Sequence, residues 1–246
     1  MRIDICTLFP ESFSYLNLSL MGEAIKNKII DLHIHNIRDF SMDKNKKVDD
    51  EPYGGGAGML LCLEPVLKTI ENIENTGPQN VKPYKILFTP KGNILNQKKF
   101  FELKEKNWII LICSRYEGID ERILNFIDEE ISIGDYILSG GELPAMVLIE
   151  GLSRLILNVL GNFESVIDES FSFNLLECPQ YTRPYDFMGF RVPKILLSGD
   201  EKKIKKWRRA MSLKITYKRR KDLLSSANLT DEEKERIKYW EKKDRK

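Results

Sequence analysis

The stretch Ile133-Gly134-Asp135-Tyr136-Ile137-Leu138-Ser139-Gly140-Gly141-Glu142-Leu143-Pro144 couples a short apolar strand to a Gly-Gly turn and then to a helix opened by a proline. Glycine has no Cβ, so Gly140 and Gly141 let main-chain amides press against a ligand. Pro144 falls near a first helical position, where its missing N–H costs little. Strand, glycine turn and helix start are the parts of a nucleotide-type pocket, and the flanking segments supply the rest of such a fold. Residues 2–9, 84–89 and 108–113 are apolar runs of strand length, while residues 64–75, 96–105 and 120–127 carry helical spacing. Strands alternating with helices predict an α/β protein with a mainly parallel sheet flanked by helices.

Two further apolar runs end in turns. Leu87-Phe88-Thr89-Pro90-Lys91-Gly92 closes one strand, and Cys113-Ser114-Arg115-Tyr116-Glu117-Gly118-Ile119-Asp120-Glu121-Arg122 follows another. Ligands collect beyond the carboxyl ends of strands in an open parallel sheet, so these three turns are expected to share one pocket. Each alone is an ordinary strand-to-helix connection; their joint occurrence argues for a site. The cluster Pro52-Tyr53-Gly54-Gly55-Gly56-Ala57-Gly58-Met59 fits neither a Walker loop nor a Rossmann fingerprint. It has no G-x-x-x-x-G-K-[ST], Met59 stands where a third glycine belongs, and acidic Asp49-Asp50-Glu51 precedes it instead of a strand. It is either a plain flexible loop or one that lets backbone approach a base or ribose.

The chain holds only two histidines, His33 and His35. Their spacing puts them on one face of a strand predicted over 31–37 with no third ligand nearby, so no metal site is expected. Acid–base chemistry then falls to carboxylates, Tyr, Lys or Cys, and His-dependent hydrolase triads are excluded. Arg154 lies on an apolar helix predicted over 143–160, one turn after Glu150, as an i, i+4 ion pair would. Asp168 and Glu169, ahead of Ser170-Phe171, read locally as an acid cluster at a helix start.

At 246 residues, 42% hydrophobic and 31% charged, the chain can bury a sizeable core in one large domain with a small appendage. Cys6, Cys62, Cys113 and Cys178 form no C-x-x-C pair, which argues against a disulfide framework or zinc site and fits a reducing cytoplasm. The apolar run in residues 1–10 is too short for a signal peptide, and Glu150 and Arg154 interrupt the longest later one. Neither export nor a membrane span is expected. The net charge of +2 hides an asymmetry: residues 202–221 hold eleven Lys or Arg and no acid, while residues 222–246 carry seven of each sign. Residues 1–201 are therefore left with a net charge of about −9, a mildly acidic body joined to one intensely basic segment. Such a segment is either a solvated helix face or the grip for a polyanion. Periodicity fades between about 161 and 193 and returns as a helical pattern. The expected organisation is a large α/β domain over 1–160, a linker over 161–193 and a small basic helical domain over 194–246.

Across the whole chain these pieces resemble the bacterial tRNA (guanine-N1)-methyltransferases of the SPOUT class. The motifs that carry the resemblance begin with Leu8-Phe9-Pro10-Glu11, Arg38-Asp39-Phe40, Val48-Asp49-Asp50 and Pro52-Tyr53-Gly54-Gly55-Gly56. They continue through residues 115–122 and 133–144 to Pro179-Gln180-Tyr181-Thr182-Arg183-Pro184, Leu196-Leu197-Ser198-Gly199-Asp200 and Trp207-Arg208. The resemblance implies a deep trefoil knot, which generic topology rules would not predict, and an obligate homodimer. It implies S-adenosylmethionine as cofactor, held by Leu87, Phe88, Thr89 and Pro90; by Ser114, Tyr116 and Glu117; and by Ile133, Gly134, Tyr136, Leu138, Gly140, Gly141 and Pro144. The implied substrate is tRNA, not DNA, at the guanosine just 3′ of the anticodon (position 37). Asp50, Gly58 and Arg154 are expected at the target base, and Lys202, Lys206, Arg208, Arg209, Lys218 and Arg219 on the anticodon branch.

Guanine N1 carries a proton and a delocalised lone pair, so it is a poor nucleophile until that proton leaves. As it leaves, charge accumulates on O6, where a fixed cation lowers the barrier. Arg154 matches the family position given that task. The family's aspartate base, immediately before Ser-Phe, is Glu169 here, with Asp168 one residue earlier as the alternative. A second departure is Ser114, where the family commonly has glycine.

Overall fold

A strand that is apolar at every position must be covered on both faces, and Trp108–Cys113 is: all six residues are buried. In the computed structural model, which describes residues 1–156 and 169–244, this strand is the middle of a five-stranded sheet. In chain order the strands of the first part are β1 (Arg2–Thr7), β2 (Asp31–Asn36), the two-residue β3 (Asp49–Asp50) and β4 (Leu60–Leu61), β5 (Tyr84–Ile94), β6 (Trp108–Cys113) and β7 (Glu129–Ser132). The sheet order is β2-β1-β6-β5-β7, with every pairing parallel; β3 and β4 pair separately and antiparallel.

Alternation along the strands splits the core in two. On one face Ile3, Ile5, Ile86, Phe88, Ile109, Leu111 and Cys113 pack under helices α1 (Ser19–Lys26), α3 (Gln97–Leu103) and α4 (Glu142–Ser153). On the other, Leu87, Trp108, Ile110 and Ile112 meet Val66, Ile70 and Ile73 of α2 (Leu63–Thr76). Each fully buried aliphatic side chain of this kind contributes about 1.5–3 kcal/mol. The mainly parallel, helix-flanked sheet predicted from the strand–helix alternation is the architecture found.

Several local expectations shift. No strand forms within 133–138; the strand is Glu129–Ser132, and the chain bends after it because Ser132 Oγ accepts from Gly134 N–H (3.2 Å). Gly134 takes φ +146° there. Pro144 is the third helical residue, still inside the first turn whose N–H groups have no intrahelical acceptor. Helix α4 stops at Ser153, short of 160. Ser153 Oγ donates to Glu150 O (2.7 Å), and the N–H groups of Leu155 and Ile156 bond three residues back, which tightens the end into a 3-10 turn. Residues 120–127 hold only the 3-10 segment Glu121–Asn125. β5 runs on to Ile94 through a register slip against β7 between Phe88 and Asn93.

Contacts divide the chain into two compact units, Met1–Gly161 and Asn162–Lys246. In the second, the described residues form a short hairpin of β8 (Asp186–Phe187) and β9 (Phe190–Arg191), then helices α5 (Glu201–Arg219) and α6 (Asp231–Asp244). Asp200 caps α5 by accepting from Lys203 N–H (3.1 Å). Thr230 and Glu233 form a reciprocal capping box at α6. Leu175, Leu213, Thr216 and Tyr217 are the buried residues of this unit among those described. Tyr217 stacks obliquely on Trp240 (5.2 Å) and donates to Asp244 (2.7 Å). Among the described residues no helix is long and apolar enough to cross a membrane.

Candidate functional site

The carboxyl ends of β6, β5 and β7 lie side by side, so the turns that leave them face one another. They enclose a cavity of about 620 Å³, within the range of small-ligand sites. Every cofactor-contact residue expected from the sequence lines it: Leu87, Phe88, Thr89 and Pro90 from the first turn; Ser114, Tyr116 and Glu117 from the second; Ile133, Gly134, Tyr136, Leu138, Gly140, Gly141 and Pro144 from the third. The turns are tied to each other by backbone. Gly141 N–H bonds Ser114 O (2.9 Å), and a Cβ added to Gly141 would sit 2.6 Å from Cys113 Cα, so only glycine allows this approach. Ser114 Oγ donates to Phe88 O (3.1 Å), a tie between β6 and β5 that a glycine at 114 would lack.

Charge around the cavity is held in place by two pairs that sequence reading did not single out. Glu142, buried, accepts from Thr7 Oγ1 (2.9 Å) and from Arg115 Nε (3.0 Å), while the Arg115 guanidinium lies over the Phe9 ring (4.3 Å). Nothing local signals this, because Thr7, Phe9, Arg115 and Glu142 come from separated segments. Lys91 pairs with Glu121 (2.8 Å) between two lining segments. Cys113, at the end of β6, is no nucleophile: burial pushes its thiol well above the usual range.

The glycine loop leans on the same wall. Glu117 N–H bonds Met59 O (3.0 Å), Leu61 N–H bonds Gly118 O (3.0 Å), and Leu60 lines the cavity. Tyr116, in the left-handed region at φ 62°, donates to Asp49 (3.4 Å). Gly58 abuts the Glu117 side chain. Asp50 is exposed and bonded by Lys47 (3.2 Å), which holds its carboxyl below the ordinary range. Among the described residues no cluster of His, Cys, Asp and Glu is arranged to hold a metal. His35 instead hydrogen-bonds Asp4 (2.8 Å).

Comparison with known proteins bears on what this cavity serves. The family described as "tRNA (Guanine-1)-methyltransferase TrmD" matches residues 1–226. The chain belongs to the tRNA (guanine-N1)-methyltransferase family. It is 51% identical over 234 residues to the tRNA (guanine-N(1)-)-methyltransferase of Clostridium botulinum strain Eklund 17B, covering 95% of this chain and 97% of that one. It is 53% identical over 230 residues to the protein of that name from Clostridioides difficile (93% and 99% covered), and 46% over 236 residues to the one from Dictyoglomus turgidum (96% and 94%).

The methyltransferase's remaining expected site residues fall in both units. Arg154 caps the carboxyl end of α4 in the first. Glu169 belongs to the second, and Asp168 lies outside the described residues. On α5, Lys202, Lys206, Arg208, Lys218 and Arg219 are exposed and open to a phosphate backbone. Arg209 is otherwise engaged: its guanidinium forks onto Glu233 (2.7 and 3.1 Å) and donates to Asn228 O (2.9 Å), so it braces α5 against α6 instead of facing outward.

Proposed function

We propose that this chain transfers the methyl group of S-adenosylmethionine to N1 of the tRNA guanosine immediately 3′ of the anticodon. The observation that carries the reading is the convergence of three strand-end turns on one cavity, in a chain whose family is described by that activity. The cavity's chemistry suits the cofactor: apolar walls at Leu87, Ile133 and Leu138 for a base, close main-chain approach at Gly140 and Gly141, and the Glu117 carboxylate for polar groups. Bound there, S-adenosylmethionine supplies an electrophilic methyl group. The chain's own part is to remove the N1 proton and align the base. Glu169 takes the proton, with Asp168 the alternative, and Arg154 offsets the charge that grows on O6. Alignment of an in-line transfer is worth up to roughly 7–11 kcal/mol in well-oriented cases.

The target base is splayed out of its loop to enter, as for other base-modifying enzymes, with Asp50 and Gly58 beside it. The exposed cations of α5 hold the anticodon branch through its phosphates. The catalytic unit is tied in a trefoil knot, a reading supported by the return of the 133–141 segment to bond the end of β6. The enzyme acts in the cytoplasm as a homodimer in which Glu169 of one protomer completes the pocket of its partner. The test is methyl transfer from labelled S-adenosylmethionine to an unmodified tRNA transcript and to one with adenosine 3′ of the anticodon. N1-methylguanosine from the first transcript alone is expected. Tight tRNA binding with no product would replace the enzyme by a non-catalytic RNA-binding protein.

A further inference from the structure

Three arginines of the hairpin and the α5 region are committed to carboxylates: Arg191 to Asp186, Arg209 to Glu233 and Arg220 to Asp222, each at 2.7 Å. Arg183 and Arg208 are not. Among the described residues neither side chain makes an ion pair or hydrogen bond, yet both line a second cavity of about 660 Å³ built wholly within this unit. No carboxylate lines it. Two guanidiniums facing one space without an acid repel each other, an arrangement that an anion between them turns to advantage. The rest of the lining is not that of a bare anion site. Leu196 and Ile204 give an apolar floor, and Tyr181 and Tyr185 stand at 46% and 38% exposure with ring area open.

Aromatic faces beside arginines suit unpaired nucleotides, whose base faces are free, and not duplexes, whose bases are stacked on one another. The neighbouring acid-free run 202–221 extends the positive field beyond what one phosphate needs, which favours a polyanion over a phosphorylated peptide. We propose that this cavity is a subsite for one unpaired nucleotide of RNA, its base on Tyr181 or Tyr185 and its phosphate between Arg183 and Arg208. This rests on the RNA-acting reading above and gives the Pro179–Pro184 motif a task.

The test titrates labelled hexaadenylate against the full-length protein by fluorescence anisotropy. Tyr181→Ala, Arg183→Gln and Arg208→Gln are each expected to weaken binding by roughly tenfold, and Tyr181→Trp to retain it. Arg236→Gln removes the same charge from α6, away from the cavity, and is expected to change little. Wild-type binding in Tyr181→Ala and Arg208→Gln overturns the proposal. So does an Arg236→Gln loss as large as theirs, or displacement by an RNA duplex or inorganic phosphate as efficient as by unlabelled hexaadenylate. The two readings fail separately. N1 methylation of tRNA with hexamer binding indifferent to these variants removes the subsite and keeps the enzyme; Tyr181-dependent binding without methylation does the reverse.

Discussion

Glu169 carries the sharpest claim at the scale of a single residue. If it is the base, Glu169→Gln lowers single-turnover methyl transfer by at least roughly 100-fold, the lower end of what a general base contributes, while Asp168→Asn stays near the wild type. Full activity in Glu169→Gln with loss in Asp168→Asn would move the role one residue back. Asp4 gives a second prediction, on stability. Burial raises its pKa, but hydrogen bonds from His35, Arg2 and Trp108 outweigh burial and bring it from an ordinary 3.8 down to about 2. A depressed carboxylate pKa stabilises the fold above the unfolded value, and the stabilisation is lost as pH falls through the folded one. Asp4 therefore contributes about 2 kcal/mol above pH 4 that disappears toward pH 2. Urea unfolding of wild type and Asp4→Asn should converge across that window; a constant gap would assign the difference to packing.

Among elements, α5 holds the segment that follows Glu169. Leu176 is gripped through both of its main-chain polar groups: its N–H bonds Thr216 Oγ1 (2.8 Å), and its carbonyl accepts from Ser212 Oγ. Ser212 and Thr216 are one turn apart on α5, and Asn174 adds a bond to Ser226 O (2.9 Å). Thr216→Val keeps the shape but removes the donor–acceptor, so it is expected to slow methyl transfer at saturating tRNA with tRNA affinity nearly unchanged, and Thr216→Ser to restore it. A matching loss in tRNA affinity would mean that α5 itself had been damaged. Legibility in the sequence follows the same scale. The buried parallel strands and the three turns were readable because burial on two faces leaves continuous apolar runs and turns need Gly or Pro. The helix ends were not: α4 stops where a serine bonds back to its own backbone, which no periodicity reports. The Arg115–Glu142–Thr7 chain and the Arg209–Glu233 pair were hidden because they join residues 24 or more apart in sequence, and charge counting cannot distinguish a paired arginine from an open one.

On the scale of the whole molecule, the dimer proposal makes a prediction that no monomer can satisfy. An Arg154→Ala protein and a Glu169→Ala protein, each inactive alone, are expected to regain activity when mixed and allowed to exchange subunits, because one site of the mixed dimer holds both native residues. Failure to regain activity in a verified mixed dimer would place both residues in the same protomer's site.

The sheet order has a consequence for how the chain is made. β1 pairs on one side with β2, close in sequence, but on the other with β6, in register Arg2↔Trp108. Its first partner, β2, emerges from the ribosome early, whereas its second, β6, begins only at Trp108. Until then the nascent chain carries an apolar strand with one row of amides and carbonyls unpaired, an invitation to neighbouring chains. The central pair of the enzyme's sheet is thus among the last to close, and synthesis speed between β2 and β6 sets how long that edge stays open.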